Sequence, residues 1–253
     1  MRTHEILSSH WRTLAAGCVL ALAGCVSSPL YDPVPMKAGV LRQHLMDRIA
    51  LIVTLPPKQA GVLLRDFSLT SSKPVSVSTA TPVSADGLLL TTAHGVKALA
   101  QGDVTVVFYS PGKYKKRSQA RVIWKDDKAD LALIQVAFPT PAFYDWTPRD
   151  RTLRAGTPVV HGGLTTGPKA QIGVLLESLA GTGHPLRPWV RHSLRLKPGD
   201  SGGPLLTVSG ELIGINRAVG YVGVMDTSFF TESQSTRPDP AKIRSLMAGA
   251  ARQ

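Results

Sequence analysis

Cysteine is nearly missing from this 253-residue chain, and its two cysteines, Cys18 and Cys25, both fall within the first 25 residues. From residue 26 onward there is no thiol to form a disulfide, serve as a nucleophile or bind zinc, so the fold must hold through its core alone. Acidic side chains are also scarce: 17 Asp and Glu stand against 29 Lys and Arg, a formal net charge of +12. Long apolar runs are absent as well. "TLAAGCVLALAG" (13–24) is apolar but too short to cross roughly 30 Å of hydrocarbon. There is no internal repeat at solenoid periods and no H-E-x-x-H string, so neither a repeat array nor a zinc site is expected. The positive charges are scattered and no nucleic-acid module is visible, so no nucleic-acid partner is expected. The one dense basic run, "KYKKR" (113–117), lies between two strand-like segments and reads as a solvated hairpin tip. A composition of 43% hydrophobic and 18% charged residues belongs to a chain that folds around a core.

The N-terminus has the layout of an export signal, with Arg2 and Arg12 ahead of or within a short apolar segment. It ends in "LAGC", Leu22-Ala23-Gly24-Cys25, which resembles a bacterial lipobox. That resemblance implies a signal peptide over 1–24 and a lipidated Cys25 as the mature first residue. The other reading is an ordinary signal cut near "LAG", with Cys25 an incidental thiol. Loss of Arg2, Arg12 and Glu5 with the signal leaves a net charge of +11. Such a chain is drawn to anionic lipid or cell-wall polymer, and two or three acyl chains at Cys25 would anchor it firmly. Val26 after the cysteine, by analogy with lipoprotein sorting, points to the outer membrane on its periplasmic side. Residues 25–47, with Pro, Ser and mixed polarity, read as a tether with room for one short helix.

From about 48 to 233 short β-rich runs alternate with turn signals. Asp86-Gly87 marks a hairpin inside "PVSVSTATPVSADGLLLTTAH" (74–94), and Ser209-Gly210 marks another in "GPLLTVSGELIGINRAV" (203–219). "DLALIQVAF" (130–138) is a continuous apolar run suited to a buried strand. The polar stretch 144–156 is the natural place to divide the region. "DPAKIRSLMAGAAR" (239–252) has an Asp cap, an early Pro and helical spacing, and so predicts a terminal helix. No parallel βα alternation is seen, which argues against a nucleophile elbow on a doubly wound sheet.

Within this frame one short stretch, "KPGDSGGPLL" (197–206), places Ser201 among glycines and prolines. By itself the string could be only a tight turn. A nucleophilic Ser needs an imidazole within hydrogen-bond reach, and the imidazole needs an acid on its other nitrogen. His94 ends an apolar run in "LLLTTAHGV" (88–96), where the sheet fixes it and its end exposes it. Asp130 opens "DLALIQV", and a carboxylate at the mouth of a buried strand needs a partner. The order is His94, Asp130, Ser201, the second standing 36 positions after the first and the third 71 after the second.

"TTAHGV", "KADLALIQV" and "KPGDSGGPLL" resemble the three motif blocks of trypsin-like serine proteases. The segments "ADGLLLTTAHGV" and "GPLLTVSGELIGINRAV" are similar to bacterial envelope proteases of the Deg type. The resemblance covers roughly 75–220 and implies an all-β chymotrypsin-like fold of two antiparallel six-stranded β-barrels, over 48–148 and 149–233, with a C-terminal helix. It implies a serine endopeptidase of the bacterial envelope acting on peptide or protein substrate without cofactor or metal. Ser201 would be the nucleophile, His94 the base, Asp130 the orienting acid, and the Gly199 and Ser201 amides the oxyanion hole. An inactive scaffold or sensor with the same fold, or an esterase using the same triad, are the competing functions. Asp200 cannot here receive a freed N-terminus if Cys25 is acylated, so it is expected to be a local turn acceptor. Arg195, six residues before Ser201, either favours an acidic residue before the scissile bond or faces solvent on an alternating strand.

Overall fold

The computed structural model describes residues 30–66, 74, 76–97, 102–146, 152–167, 171–180, 189–224, 227–237 and 239–250. The expected signal segment and Cys25 lie outside them. The first described elements are a two-residue strand β1 (Leu30–Tyr31) and helix α1 (Ala38–Met46). In α1, Leu41 and Leu45 come four apart on one face, and both are buried in the largest core cluster. The segment read as a tether therefore contributes a docked helix, held also by Met36 N–H donating to Val208 O at 2.9 Å.

Six antiparallel strands then close a barrel in the order β2-β3-β4-β7-β6-β5. They are β2 (Ala50–Leu55), β3 (Ser76–Pro82), β4 (Leu88–Thr91), β5 (Val104–Tyr109), β6 (Lys116–Asp126) and β7 (Leu131–Val136). The β3–β4 hairpin turns on Gly87 at φ +81, where a Cβ would lie 2.7 Å from both Val136 O and Phe138 O, so only glycine fits. Ile52, Leu89, Val107, Tyr109 and Ile134 fill the interior. Helix α2 (Pro57–Asp66) covers the outside of β2 and β5 through Ala60 and Leu63. The sequence predicts only β-rich runs here, but Pro57 sits at the first position of this helix, where no N–H is needed. The basic run departs from the solvated-tip reading in one residue. Lys113, Lys115 and Lys116 are exposed, but Arg117 turns back and donates to Leu64 O (2.7 Å) and Arg65 O (2.5 Å), the C-terminal carbonyls of α2.

The second half contains β8 (Thr152–Leu153), β9 (Pro158–His161), β10 (Ile172–Val174), β11 (Leu179–Ala180), β12 (Trp189–His192), β13 (Pro204–Thr207), β14 (Leu212–Val224) and β15 (Thr227–Thr236). β1, β8 and β11 form a small sheet, and six strands form the order β10-β9-β13-β14-β15-β12. This sheet is curled rather than fully closed. An isolated antiparallel bridge between Leu175 and His192 draws its two edges together, where the sequence predicted a complete six-stranded barrel. Helix α3 (Pro240–Ala250) follows, with Asp239 Oδ1 accepting from Ala241 N–H at 2.8 Å as the sequence cap predicts. The two halves share one apolar seam made by Leu88, Leu90, Leu131 and Leu133 from the first, Val160, Leu206 and Ile215 from the second, and Ile243 of α3. Among the described residues no helix is long and apolar enough to cross a membrane.

Candidate active site

All four residues of β4 are buried and pair with β7, Leu89 opposite Ile134 and Thr91 opposite Ala132. The chain leaves the sheet at Thr92 and enters a single 3-10 turn, His94–Val96. Gly95 lets this turn lie against β3, since a Cβ there would stand 2.7 Å from Ser78 Oγ. The His94 side chain is thus anchored at its root and half exposed at its tip, 51% against 15% for Asp130.

Asp130 closes the four-residue turn before β7. Asp126 Oδ1 caps that turn by accepting from the N–H groups of Lys128 and Ala129, both at 3.0 Å. Asp130 sits at φ +51, a left-handed conformation that Asp tolerates better than most side chains. Its carboxylate meets His94 twice. Oδ1 accepts from the His94 backbone N–H at 3.0 Å, and the ring Nδ1 lies 2.8 Å from Oδ2 and 3.1 Å from Oδ1. Facing two carboxylate oxygens, Nδ1 carries the proton and donates it, which leaves the Nε2 lone pair free on the far side of the ring. Burial pushes the Asp130 carboxyl up. The hydrogen bonds from the His94 ring and amide, together with the charges of His94 and Arg217, outweigh that and hold it below the usual carboxylate range.

Ser201 lies in the turn between β12 and β13, and strand β3 of the first barrel grips that turn. Thr79 N–H donates to Ser201 O at 2.8 Å, Thr79 Oγ1 to Gly199 O at 2.6 Å, and Thr81 Oγ1 to Gly202 O at 2.9 Å. Gly202 makes the approach possible, because a Cβ there would fall 1.9 Å from Thr79 O. Asp200, fully buried, accepts from Lys197 N–H (2.9 Å), Thr165 N–H (3.1 Å), Thr166 N–H (2.9 Å) and the Thr166 hydroxyl. The local turn acceptor expected from the sequence is seen in the Lys197 bond alone; the other three come from Thr165 and Thr166, 35 and 34 residues earlier in the chain. Arg195 is exposed on the alternating strand-like segment, with Leu194 and Leu196 turned inward.

Arg217 completes the site, and the sequence reading passed over it. It sits in β14 at a bulge, where the register against β15 slips between Asn216 and Ala218. Its carbonyl accepts from Ser201 Oγ at 3.4 Å, and its Nε lies 3.5 Å from Asp130 Oδ2. One residue of the second half therefore touches both Ser201 and Asp130, and so brings the three candidate residues into one cluster. The Ser201 hydroxyl makes this bond rather than one to His94. A cation inside the apolar run "LIGINRAV" was the available signal, because a guanidinium there must find an anion.

Comparison with known proteins agrees with this architecture. The family model described as "Trypsin-like peptidase domain" matches residues 78–215. Among curated relatives, a "Probable periplasmic serine endoprotease DegP-like" of Chlamydia trachomatis is 29% identical over 151 residues, covering 56% of this chain and 29% of that protein. The protein of the same description from Hahella chejuensis is 30% identical over 151 residues, covering 56% and 30%. The chain thus spans less than a third of the length of these relatives. Among solved structures, "HtrA-type protease AlgW with tripeptide" superposes with a TM-score of 0.61 at 17% identity, covering 85% of this chain and 65% of that one. That likeness is one of fold. The family match takes in more than half of the chain, with His94, Asp130 and Ser201 all inside it, and the chain belongs to the trypsin-like peptidase domain family.

Proposed function

We propose that this chain is a serine endopeptidase of the bacterial cell envelope, cleaving peptide bonds through an acyl-enzyme on Ser201. The observation that carries the reading is the His94 ring fixed at 2.8 Å on Asp130, whose Oδ2 lies 3.5 Å from Arg217, the residue whose carbonyl accepts from Ser201 Oγ. Ser201 Oγ attacks the carbonyl carbon while His94 Nε2 takes the hydroxyl proton. Asp130 stabilises the imidazolium that forms. His94 then returns the proton to the departing amine, the C–N bond breaks, and water repeats the sequence on the ester to free the acid and regenerate Ser201. A Ser hydroxyl not yet bonded to its base before substrate arrives is ordinary for such sites.

Two peptide planes support the assignment of the oxyanion hole to Gly199 and Ser201. Pro198 O is engaged by Thr165 Oγ1 at 2.5 Å and Asp200 O by Gly203 N–H at 3.0 Å. In trans peptides the N–H points opposite to the carbonyl, so the Gly199 and Ser201 N–H groups face away from those inner partners. Gly199 at φ +95 supplies the backbone turn this requires.

Residues 1–24 are proposed as a lipoprotein signal and Cys25 as the acylated mature N-terminus, placing the enzyme at the outer membrane facing the periplasm. The periplasmic description of its relatives favours that compartment. The domain plan is a protease unit over 48–253 with α1 of the preceding segment docked on it, joined to the anchor by the rest of residues 25–47.

The test is a fluorophosphonate probe on the full chain, followed by mapping of the labelled peptide. Labelling of Ser201 with cleavage of an unfolded protein substrate is expected. Labelling with ester hydrolysis alone would assign an esterase, and no labelling would leave a protease-fold scaffold. For the anchor, Cys25→Ser should move the protein from the membrane to the soluble envelope fraction. Retention at the membrane with the signal removed overturns the lipid assignment.

A further inference from the structure

The Arg217 side chain is seated by three neighbours, and its backbone meets a fourth. Its Nε is 3.5 Å from Asp130 Oδ2, a terminal nitrogen donates to Gln234 Oε1 at 3.3 Å, its Cζ lies 4.9 Å from the Trp189 ring centroid, and its backbone carbonyl accepts from Ser201 Oγ. The bulge explains the aim. Asn216 pairs with Ser235 and Ala218 with Gln234, so Arg217 is the extra residue, released from strict alternation and re-aimed toward the first barrel. Nε is buried and makes no hydrogen bond of its own, which leaves charge as its contribution toward the carboxylate.

We propose that Arg217 is a positioning residue of the triad: a fixed cation, delivered across the seam between the two halves, that approaches Asp130 at Oδ2, the oxygen nearest His94 Nδ1, and tempers the negative charge His94 senses. This rests on the endopeptidase reading above. The carboxylate is shared between a fixed guanidinium and an imidazole that becomes charged in the reaction. The more of its charge Arg217 neutralises, the less the carboxylate favours the imidazolium over the neutral imidazole, an influence that removing the cation would expose. Trp189, stacked under the guanidinium, supplies the seat, and the ion pair is part-buried, so solvent screens it less than a surface pair.

Lys97, on the turn carrying His94, is exposed. Asp126, at the head of the Asp130 turn, caps backbone N–H groups and lies 3.9 Å from Lys242 of α3. Glu232 of β15 accepts from Gln234 Nε2 at 3.4 Å and is paired with Arg191 of β12. The line of contacts therefore runs His94, Asp130, Arg217, Gln234, Glu232, Arg191, from the candidate base to the surface of the second half. Arg217 is the cation of that line that reaches the triad carboxylate.

The experiment pairs R217Q and R217K with the wild-type chain. The first readout is the pH profile of kcat/KM. The second is the titration of the His94 imidazole by NMR in a Ser201→Ala background, which needs no turnover. In R217Q the acid limb and the NMR midpoint are both expected to rise by roughly half a unit to one unit, with kcat falling more than KM changes. R217K should stay close to wild type. An R217Q midpoint equal to wild type, with only a lower melting temperature, would reduce Arg217 to a structural strut and overturn the proposal. So would an R217K shift as large as that of R217Q. If R217Q fails to fold, Trp189→Leu keeps the charge but loosens its seat, and it must move the midpoint upward by a smaller amount; no movement overturns the proposal. A wild-type chain that resists fluorophosphonate would defeat the protease reading, whereas the NMR midpoints would still report on Arg217 itself.

Discussion

The barrel of residues 50–136 closes on itself and is filled by Ile52, Leu89, Val107, Tyr109 and Ile134. The sheet of residues 158–236 curls without full closure, and among its leucines and valines it buries His161, His192, Asn216 and Ser235. Those four form a chain of hydrogen bonds. His192 Nε2 donates to Ser235 Oγ (3.0 Å), Ser235 Oγ to Asn216 Oδ1 (3.1 Å), and Asn216 Nδ2 lies 3.4 Å from His161 Nδ1. In this direction His192 Nδ1 is left as a bare lone pair, and it has no partner; His161 Nε2 is also unpartnered. Burial lowers both imidazoles, His192 to about 3, with a further contribution from His161; at His161 the charge of Asp200 opposes the shift. The half that supplies His94 and Asp130 thus has an interior without a fully buried imidazole, among the described residues. The half that supplies Ser201 stakes its packing on two imidazoles staying neutral. The contrast teaches that acid should damage the two halves unequally, even though they contribute to one site.

The largest expected effect tests whether the halves act as one. His94→Ala alters only the first half and Ser201→Ala only the second, yet each should lower kcat by on the order of 10⁶-fold, and the double variant should be little worse. Asp130→Asn should cost about 10⁴-fold. Additive losses in the double variant, measured as kcat on one substrate, would mean that the two residues do not share a step.

Next in size is the seam between them. Gly202→Ala would drive a methyl into Thr79 O and Thr91 Oγ1, which stand 1.9 and 2.3 Å from where its Cβ must go, at a φ of +86. The expected outcome is a loss of about 3 kcal/mol in chemical denaturation and of Ser201 labelling with it. A variant of wild-type stability that still labels would show that β3 does not hold the nucleophile turn.

The smallest effect sharpens the contrast of interiors. An unfolded imidazole takes its proton as pH falls below about 6.5, but folded His192 resists until about 3. Stability from this group is therefore full above 6.5 and drains as pH falls, by about 2 kcal/mol between pH 6.5 and 5. His192→Gln should flatten the pH dependence of the melting temperature over that interval, while lowering its value at pH 7. An unchanged slope would place the acid sensitivity elsewhere.

Much of this was readable in the chain because the deciding residues are local strings. Asp86-Gly87 and Ser209-Gly210 set hairpins by backbone conformation alone, and the glycines around Ser201 encode a turn that few other residues could make. The Asp239 cap and Pro240 fixed the start of α3. What escaped depends on distant partners. Helix α2 has no strong cap and becomes a helix by laying Ala60 and Leu63 on Val53 and Val106. Arg117 looked like one more solvated cation because the carbonyls it reaches are 52 and 53 residues away. The role of Arg217 follows from a bulge, which no alternation pattern announces. The incomplete closure of the second sheet depends on where its edges meet, at Leu175 and His192.

The grip of Thr79 and Thr81 on the Ser201 turn also bears on timing. β3 is made early in the chain, whereas the turn it holds is more than a hundred residues later and is pinned on its other side by Gly202 N–H to Asn216 O at 2.8 Å. A nascent or translocating polypeptide can finish its first barrel and still present no assembled nucleophile. Hydrolytic competence then becomes a late checkpoint of folding. On the endopeptidase reading such a chain would spare its own unfinished copies, and its activity during refolding should lag behind the recovery of its β-sheet signal.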